Sequence, residues 1–264
     1  MVREQNRYEA IIEAIFFKHY QPGHKTVRFK RSELINAVEE LNIERPGNLG
    51  DVLYSFRFRN SLPESIRNTA PPGKEWIIRF VGRSVYEFAL VPQVEISPSL
   101  VLVKTKIPDA TPGIVSRYSL NDEQALLAKI RYNRLIDIFT GLTCYSLQNH
   151  LRTTIPDGGQ VETDEIYVGI DKRGTHYVIP VQAKNASDRI GIVQVEQDFA
   201  VCASKFPNLI CMPVAAQFTE SEAIALFAFE QTDEGVKITS ERHYQLVPIE
   251  DLTDEELMSY RHRL

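Results

Sequence analysis

Tyr8, Ile11, Ile12, Ile15 and Phe16 recur at the three-and-four spacing of one helix face, which predicts a helix over 5–19. Gln21-Pro22-Gly23 ends it, and 26–29 has the residue types of a short strand. Leu34, Ile35, Val38 and Leu41 mark the core face of a second helix, with Ser32 as its N-cap. After a turn at 45–48, Leu49, Val52, Leu53 and Phe56 mark a third. Runs at 75–81 and 85–90 on either side of Gly82-Arg83-Ser84 predict a β-hairpin. The periodicity then lapses through a stretch that carries Pro92, Pro98, Pro108 and Pro112, with a strand-like run at 100–103 inside it. That lapse predicts a junction over 93–118 between domains at 1–92 and 119–264.

Beyond the junction, Asn121-Asp122-Glu123-Gln124 opens a long helix carrying Ala125, Leu126, Ile130, Leu135 and Ile138. A second helical stretch is expected over 145–151, before a turn at Pro156-Asp157-Gly158-Gly159. Strands at 161–170 and 175–184 then form a hairpin about 171–174. A helix-start signal at 185–188 leads into Ile190, Val193, Phe199, Cys202 and Phe206, followed by strands at 209–218 and 223–229. The order helix, strand, strand, helix, strand, strand predicts an α+β or α/β domain with a mixed central sheet. Its strand-helix-strand unit implies a right-handed crossover.

A hydrophobic content of 43% and a charged content of 25% are those of an ordinary globular chain. No apolar run is long enough to cross a bilayer, and residues 1–6 lack a signal-peptide pattern, so a cytoplasmic protein is expected. Cys144, Cys202 and Cys211 are not at zinc spacing and read as buried reduced thiols. The net charge of −5 excludes a generic nucleic-acid coat, but it is unevenly spread. Residues 1–90 hold 14 Lys/Arg against 11 Asp/Glu, and the remainder 16 against 24.

The candidate chemistry lies in the central hairpin. Folding about its turn brings Asp164, near the start of one strand, beside Gln182 and Lys184 at the end of the other. Period-two alternation places Gln182 and Lys184 on one face. Asp164, the Gln182 amide oxygen and the Ala183 carbonyl offer the hard oxygen ligands that Mg²⁺ takes, and Lys184 can orient an attacking water. Glu162 and Gln194 are further candidates. Glu165 points away unless a bulge shifts the strand. Asn133 and Asp137 fit core-edge positions, and His150 and His176 lack partners at metal spacing.

This Asp164…Gln182-Ala183-Lys184 pattern resembles the PD-(D/E)XK nuclease superfamily, to which many restriction endonucleases belong. Thr163 stands where that family often has Pro, and Gln182 where it usually has an acid; a Gln variant occurs within the superfamily. The resemblance covers about 110 residues and implies an αβββαβ core. It also implies catalytic Asp164, Gln182 and Lys184, with Mg²⁺ held by Asp164, Gln182 and Ala183. In the same way, three helices followed by a hairpin resemble a winged helix. That resemblance makes Arg57, Arg59, Asn60, Lys74, Arg79 and Arg83 candidate DNA contacts. Together they imply a Mg²⁺-dependent endonuclease acting on double-stranded DNA, of the type II restriction kind. A homodimer supplies the two centres that two strands require. The alternatives are a winged-helix transcriptional regulator with an inactive nuclease-like domain, and a structure-specific repair or recombination nuclease.

Overall fold

The structure, a computed structural model, describes residues 4–94, 96–120, 122–155 and 159–262. Residues 1–3, Asn121 and the 156–158 part of the expected turn lie outside these.

The front of the chain runs α1 (Glu4–His19), β1 (Thr26–Lys30), α2 (Glu33–Glu40), α3 (Leu49–Tyr54), α4 (Glu64–Arg67), β2 (Lys74–Gly82) and β3 (Val85–Pro92). A π-helical turn, Ser55–Arg59, extends α3. β3 pairs antiparallel with both β1 and β2, giving a three-stranded sheet. The apolar face read on α1 is buried as expected: Ile11, Ile12, Ile15 and Phe16 pack with Trp76, Ile78 and Phe88 of the sheet. On α2 the buried residues are Leu34, Ala37 and Val38, while Ile35 and Leu41 are exposed. Ser32 makes no side-chain cap; the Lys30 backbone N–H is taken by Glu33 instead.

The rest of the chain forms β4 (Lys104–Pro108), α5 (Gly113–Tyr118), α6 (Glu123–Tyr132), α7 (Leu135–Thr140), β5 (Thr143–Ile155), β6 (Gly159–Ile170), β7 (His176–Lys184) and α8 (Ile192–Lys205). β8 (Ile210–Cys211), β9 (Val214–Phe218), β10 (Ile224–Thr232), β11 (Gly235–Val247) and α9 (Asp254–Tyr260) follow. An eight-stranded mixed sheet has the order β4-β11-β10-β9-β7-β6-β5, with β8 beside β7. β7/β9, β7/β8 and β11/β4 are parallel and the other pairs antiparallel. α6 and α7 cover one face, where Leu126, Leu127, Ile130, Leu135 and Ile136 meet Ile179, Val181 and Ala183 of β7. α8 covers the other. No helix among the described residues is long and apolar enough to cross a membrane.

Several expectations are corrected. The junction is not a free linker: its strand is Lys104–Pro108, paired with β11, while Leu100, Val101 and Val103 are exposed. The long helix is two short ones, because Arg134 takes a left-handed conformation (φ 50°) between α6 and α7. The 145–151 stretch is not helical but lies within β5, an edge strand on β6. It restores the third strand of a helix, three strands, helix, strand order. Cys202 and Cys211 are bonded rather than reduced, since the end of α8 lies over β8 with their Cα atoms 5.9 Å apart, within disulfide reach. Cys144 alone is a free thiol, and burial pushes it up to about 11.

The front module is not a bead on a string. Ile77, Ala89 and Val91 of its sheet share one core with Ile192, Val193 and Val195 of α8 and with Ala215, Ala225 and Phe227 of the large sheet. Arg79 clamps Glu196 of α8 through two hydrogen bonds, one of 2.9 Å.

Candidate functional site

The β6–β7 ladder ends at Glu165 and Val181. Past that pair, the Ala183 backbone N–H donates to Asp164 Oδ2 at 2.9 Å. Asp164 thus caps the first strand donor left without a backbone acceptor, which fixes its carboxylate at the end of β7. Side-chain alternation slips at the same place. Thr163 faces α8, as does Ile166, while Glu165 and Tyr167 face α6 and α7. Glu165 therefore points away from the site. It is fully buried, with Oε1 accepting from Arg131 Nε at 3.0 Å and from Ser146 Oγ at 2.5 Å. Removing the cation strands a carboxylate in the core, so Arg131→Met is expected to cost about 3 kcal/mol of stability. Urea unfolding measures it, and an unchanged midpoint would mean that Arg131 does not hold Glu165.

Gln182 and Lys184 do not share a face in use. Gln182 is buried, and its Nε2 donates to both oxygens of Asp198 on α8, each at 3.1 Å. Lys184 Nζ instead reaches Glu123 Oε1 at the start of α6, at 2.7 Å. β7 stays paired with β9 through Lys184, and Gln182 alternates with Val181 and Ala183, so the two part because the long Lys184 side chain, at the strand end, turns to Glu123.

Asp198 is the residue that spacing did not disclose. It is 1% exposed, and Thr163 Oγ1 donates to it at 2.7 Å beside the two Gln182 bonds. The two positions that depart from the nuclease motif, Thr163 and Gln182, thus both hold this one carboxylate. Burial pushes Asp198 up to about 7, the donated hydrogen bonds oppose it, and the charge of Asp164 adds to it. Asp164 is also raised, first by burial; the Ala183 N–H and the nearby Lys184 ammonium pull the other way, and Glu123 pushes up again. Asp164, Asp198, Lys184 and Glu123 are therefore one electrostatic cluster at the mouth between β6 and β7.

Comparison with protein-family models, curated proteins and solved structures returned no match. Function rests on the chemistry of the cluster.

The other candidates are placed as follows. Glu162 turns to β5, where Arg152 Nε is 3.1 Å and His150 Nδ1 3.8 Å from its Oε1. Gln194 Oε1 takes the Gly191 backbone N–H at 3.4 Å, at the start of α8. Asn133 is a buried latch, bonded to Ala110, Thr111, Asp109 and Lys129, and Asp137 accepts from the Cys144 N–H. His150 is nearer the site than expected: it pairs with Gln124 at 3.0 Å, and its field reaches Asp164. His176 lies exposed at the start of β7. Of the candidate DNA contacts, Arg57, Arg59, Asn60 and Lys74 line one cleft of the front module and Arg83 another, while Arg79 is committed to Glu196.

Among the described residues no three His, Cys, Asp or Glu side chains form a cage for a metal. A Mg²⁺ site does not need one, because that ion keeps several waters and uses one or two carboxylates plus substrate phosphate. Asp164, Asp198 and the Ala183 carbonyl are all hard oxygen donors, and two mutually repelling carboxylates fit a divalent cation.

Proposed function

We propose that this chain is a Mg²⁺-dependent endonuclease that hydrolyses phosphodiester bonds in double-stranded DNA, of the type II restriction kind, working as a homodimer. The observation that carries this is the pair of repelling carboxylates, Asp164 and Asp198, with Lys184 beside them at the end of an antiparallel strand pair. The element order supports it. β5, β6 and β7 form an antiparallel meander, and α8 links β7 to its parallel neighbour β9, as the αβββαβ core of the PD-(D/E)XK nucleases requires. The front order of α1, β1, α2, α3, β2 and β3, with the short α4 inserted before β2, resembles that of a winged helix.

In this scheme Asp164, Asp198 and the Ala183 carbonyl would hold the ion. When bound, it polarises the scissile phosphate and acidifies a water. Gln182 and Thr163 orient Asp198 rather than binding metal themselves. Lys184 holds the attacking water and offsets phosphate charge, with Glu123 fixing its ammonium. A water would add to phosphorus and give up a proton to solvent as one ester oxygen leaves and takes a proton from solvent. Two such centres, one per protomer, match the two strands of a duplex.

Incubating plasmid with the protein and Mg²⁺ tests this. Discrete fragments support a restriction enzyme, and cutting confined to branched DNA supports a repair or recombination nuclease. Duplex binding without any cutting assigns the chain to the regulator class, with a nuclease-like domain that does no hydrolysis.

A further inference from the structure

At the junction of the front module with the large sheet, the π-helical turn, the start of β2 and the segment before α8 wall a cleft of about 380 Å³. Arg57, Arg59, Arg67, Lys74 and Arg189 line it, and Glu75 is the one carboxylate among its described lining residues. Glu75 is already engaged, by Arg189 at 3.7 Å and by the Val94 N–H at 3.4 Å. Among the described lining residues, five cations thus face a single carboxylate.

Arg57 shows the consequence. Its guanidinium stacks on the Phe58 ring at 4.7 Å and lies 5.9 Å from that of Tyr86. Its Nε is buried with no acceptor. Burial draws its pKa below the usual arginine range, with only Tyr86 opposing, yet a guanidinium stays charged. A desolvated cation without a counter-ion is costly, and an anion placed there lowers that cost. The ring contacts hold Arg57 in place, so little side-chain freedom is lost when it meets one. Arginine forks match the oxygens of a phosphate, and several of them around one cleft favour a multiply charged or chain-borne anion over a lone carboxylate.

We propose that this junction cleft is a phosphate-binding site, in which Arg57 and Arg189 take a phosphate group carried by the DNA backbone or by a free nucleotide. It deepens the DNA-binding part of the function proposed above and rests on that part for its backbone arm; it is independent of the hydrolytic cluster. It adds Arg67 and Arg189, which the winged-helix resemblance did not point to. Arg189 stands just before α8, so an occupied cleft bridges the front module and the helix that carries Asp198.

The test uses the whole chain without metal. Wild type, Arg57→Gln and Arg189→Gln are titrated with a duplex of about 20 base pairs at several salt concentrations. The same proteins are titrated with ADP and with inorganic pyrophosphate. Arg189 is mostly exposed, so its variant folds even where Arg57→Gln does not. Each variant is expected to weaken, by about tenfold, whichever phosphate probe the wild type binds. For duplex the salt slope also falls by about one. Duplex binding lost in the variants, with no ADP or pyrophosphate binding by wild type, identifies a backbone phosphate. Saturable ADP binding that is lost in the variants identifies a nucleotide. Variants within about twofold of wild type on every bound probe overturn the cleft and leave the DNA reading intact. A wild type that binds none of the three probes overturns both.

Discussion

Asp164→Asn and Lys184→Ala are each expected to slow plasmid cleavage by about a hundredfold to a thousandfold or more, with duplex affinity unchanged within about twofold. Asp164 sits where the strand ladder gives out, and its carboxylate is positioned by the Ala183 N–H. Asn keeps an oxygen for that bond but removes the charge that, on the proposed function, would hold a divalent ion. Lys184 also makes a salt link to Glu123, a purely structural role that Glu123→Gln separates from a catalytic one. If the ammonium acts in hydrolysis, Glu123→Gln slows cutting less than Lys184→Ala does, because the lysine is only loosened. Cleavage by Lys184→Ala at the wild-type rate removes the lysine from the reaction.

Asp198→Asn is expected to make the protein more stable and less useful. In the folded chain Asp198 holds its proton up to about pH 7, against 3.8 for an ordinary aspartate. Between those values the folded state binds more protons than the unfolded one, so this group's stability is greatest below the lower value and is lost as pH rises through the upper. Without metal, wild type is therefore less stable at pH 8 than at pH 5.5, by a few kcal/mol at most. Asn removes the part of that slope due to Asp198 and is the more stable protein at pH 8. Mg²⁺ acts in the opposite sense, since it binds the ionised carboxylate and restores wild-type stability at pH 8 while leaving Asp198→Asn unmoved. Urea midpoints at the two pH values, with and without Mg²⁺, measure all of this. A variant with the wild-type slope would show that Asp198 is not the group titrating. Stability given up at a working carboxylate is a familiar exchange between folding and activity.

The elements that announced themselves in sequence are those whose burial is one-sided. α1 shows its buried face at helical spacing, and the strands of the central hairpin and of the front hairpin carry dense β-formers. β5 hid because it is an edge strand whose residues are mostly exposed on both faces, so Tyr145, Leu147 and Leu151 leave no clean alternation. β4 hid behind the more apolar run 100–103, since an edge strand of Lys104, Thr105 and Lys106 need not be hydrophobic. At the site, Asp164 and Lys184 were legible as strand-end polar residues. Asp198 was not, because a single Asp on an amphipathic helix is ordinarily solvent-facing. Only the long-range approach of α8 to Thr163 and Gln182 buries it. The shared face of Gln182 and Lys184 failed for a related reason: Gln182 follows the pleat to Asp198, whereas the last residue of the strand carries a long, flexible amine that is free to turn to Glu123.

The Arg79–Glu196 clamp has a mechanical corollary. Glu196 and Asp198 are two residues apart on one helix, so the front sheet grips the same turn of α8 that carries the buried carboxylate. On the proposed function, a duplex that tilts the front hairpin on docking would also shift Asp198. Under that proposal, seating of the duplex and cleavage would be coupled through this one helix.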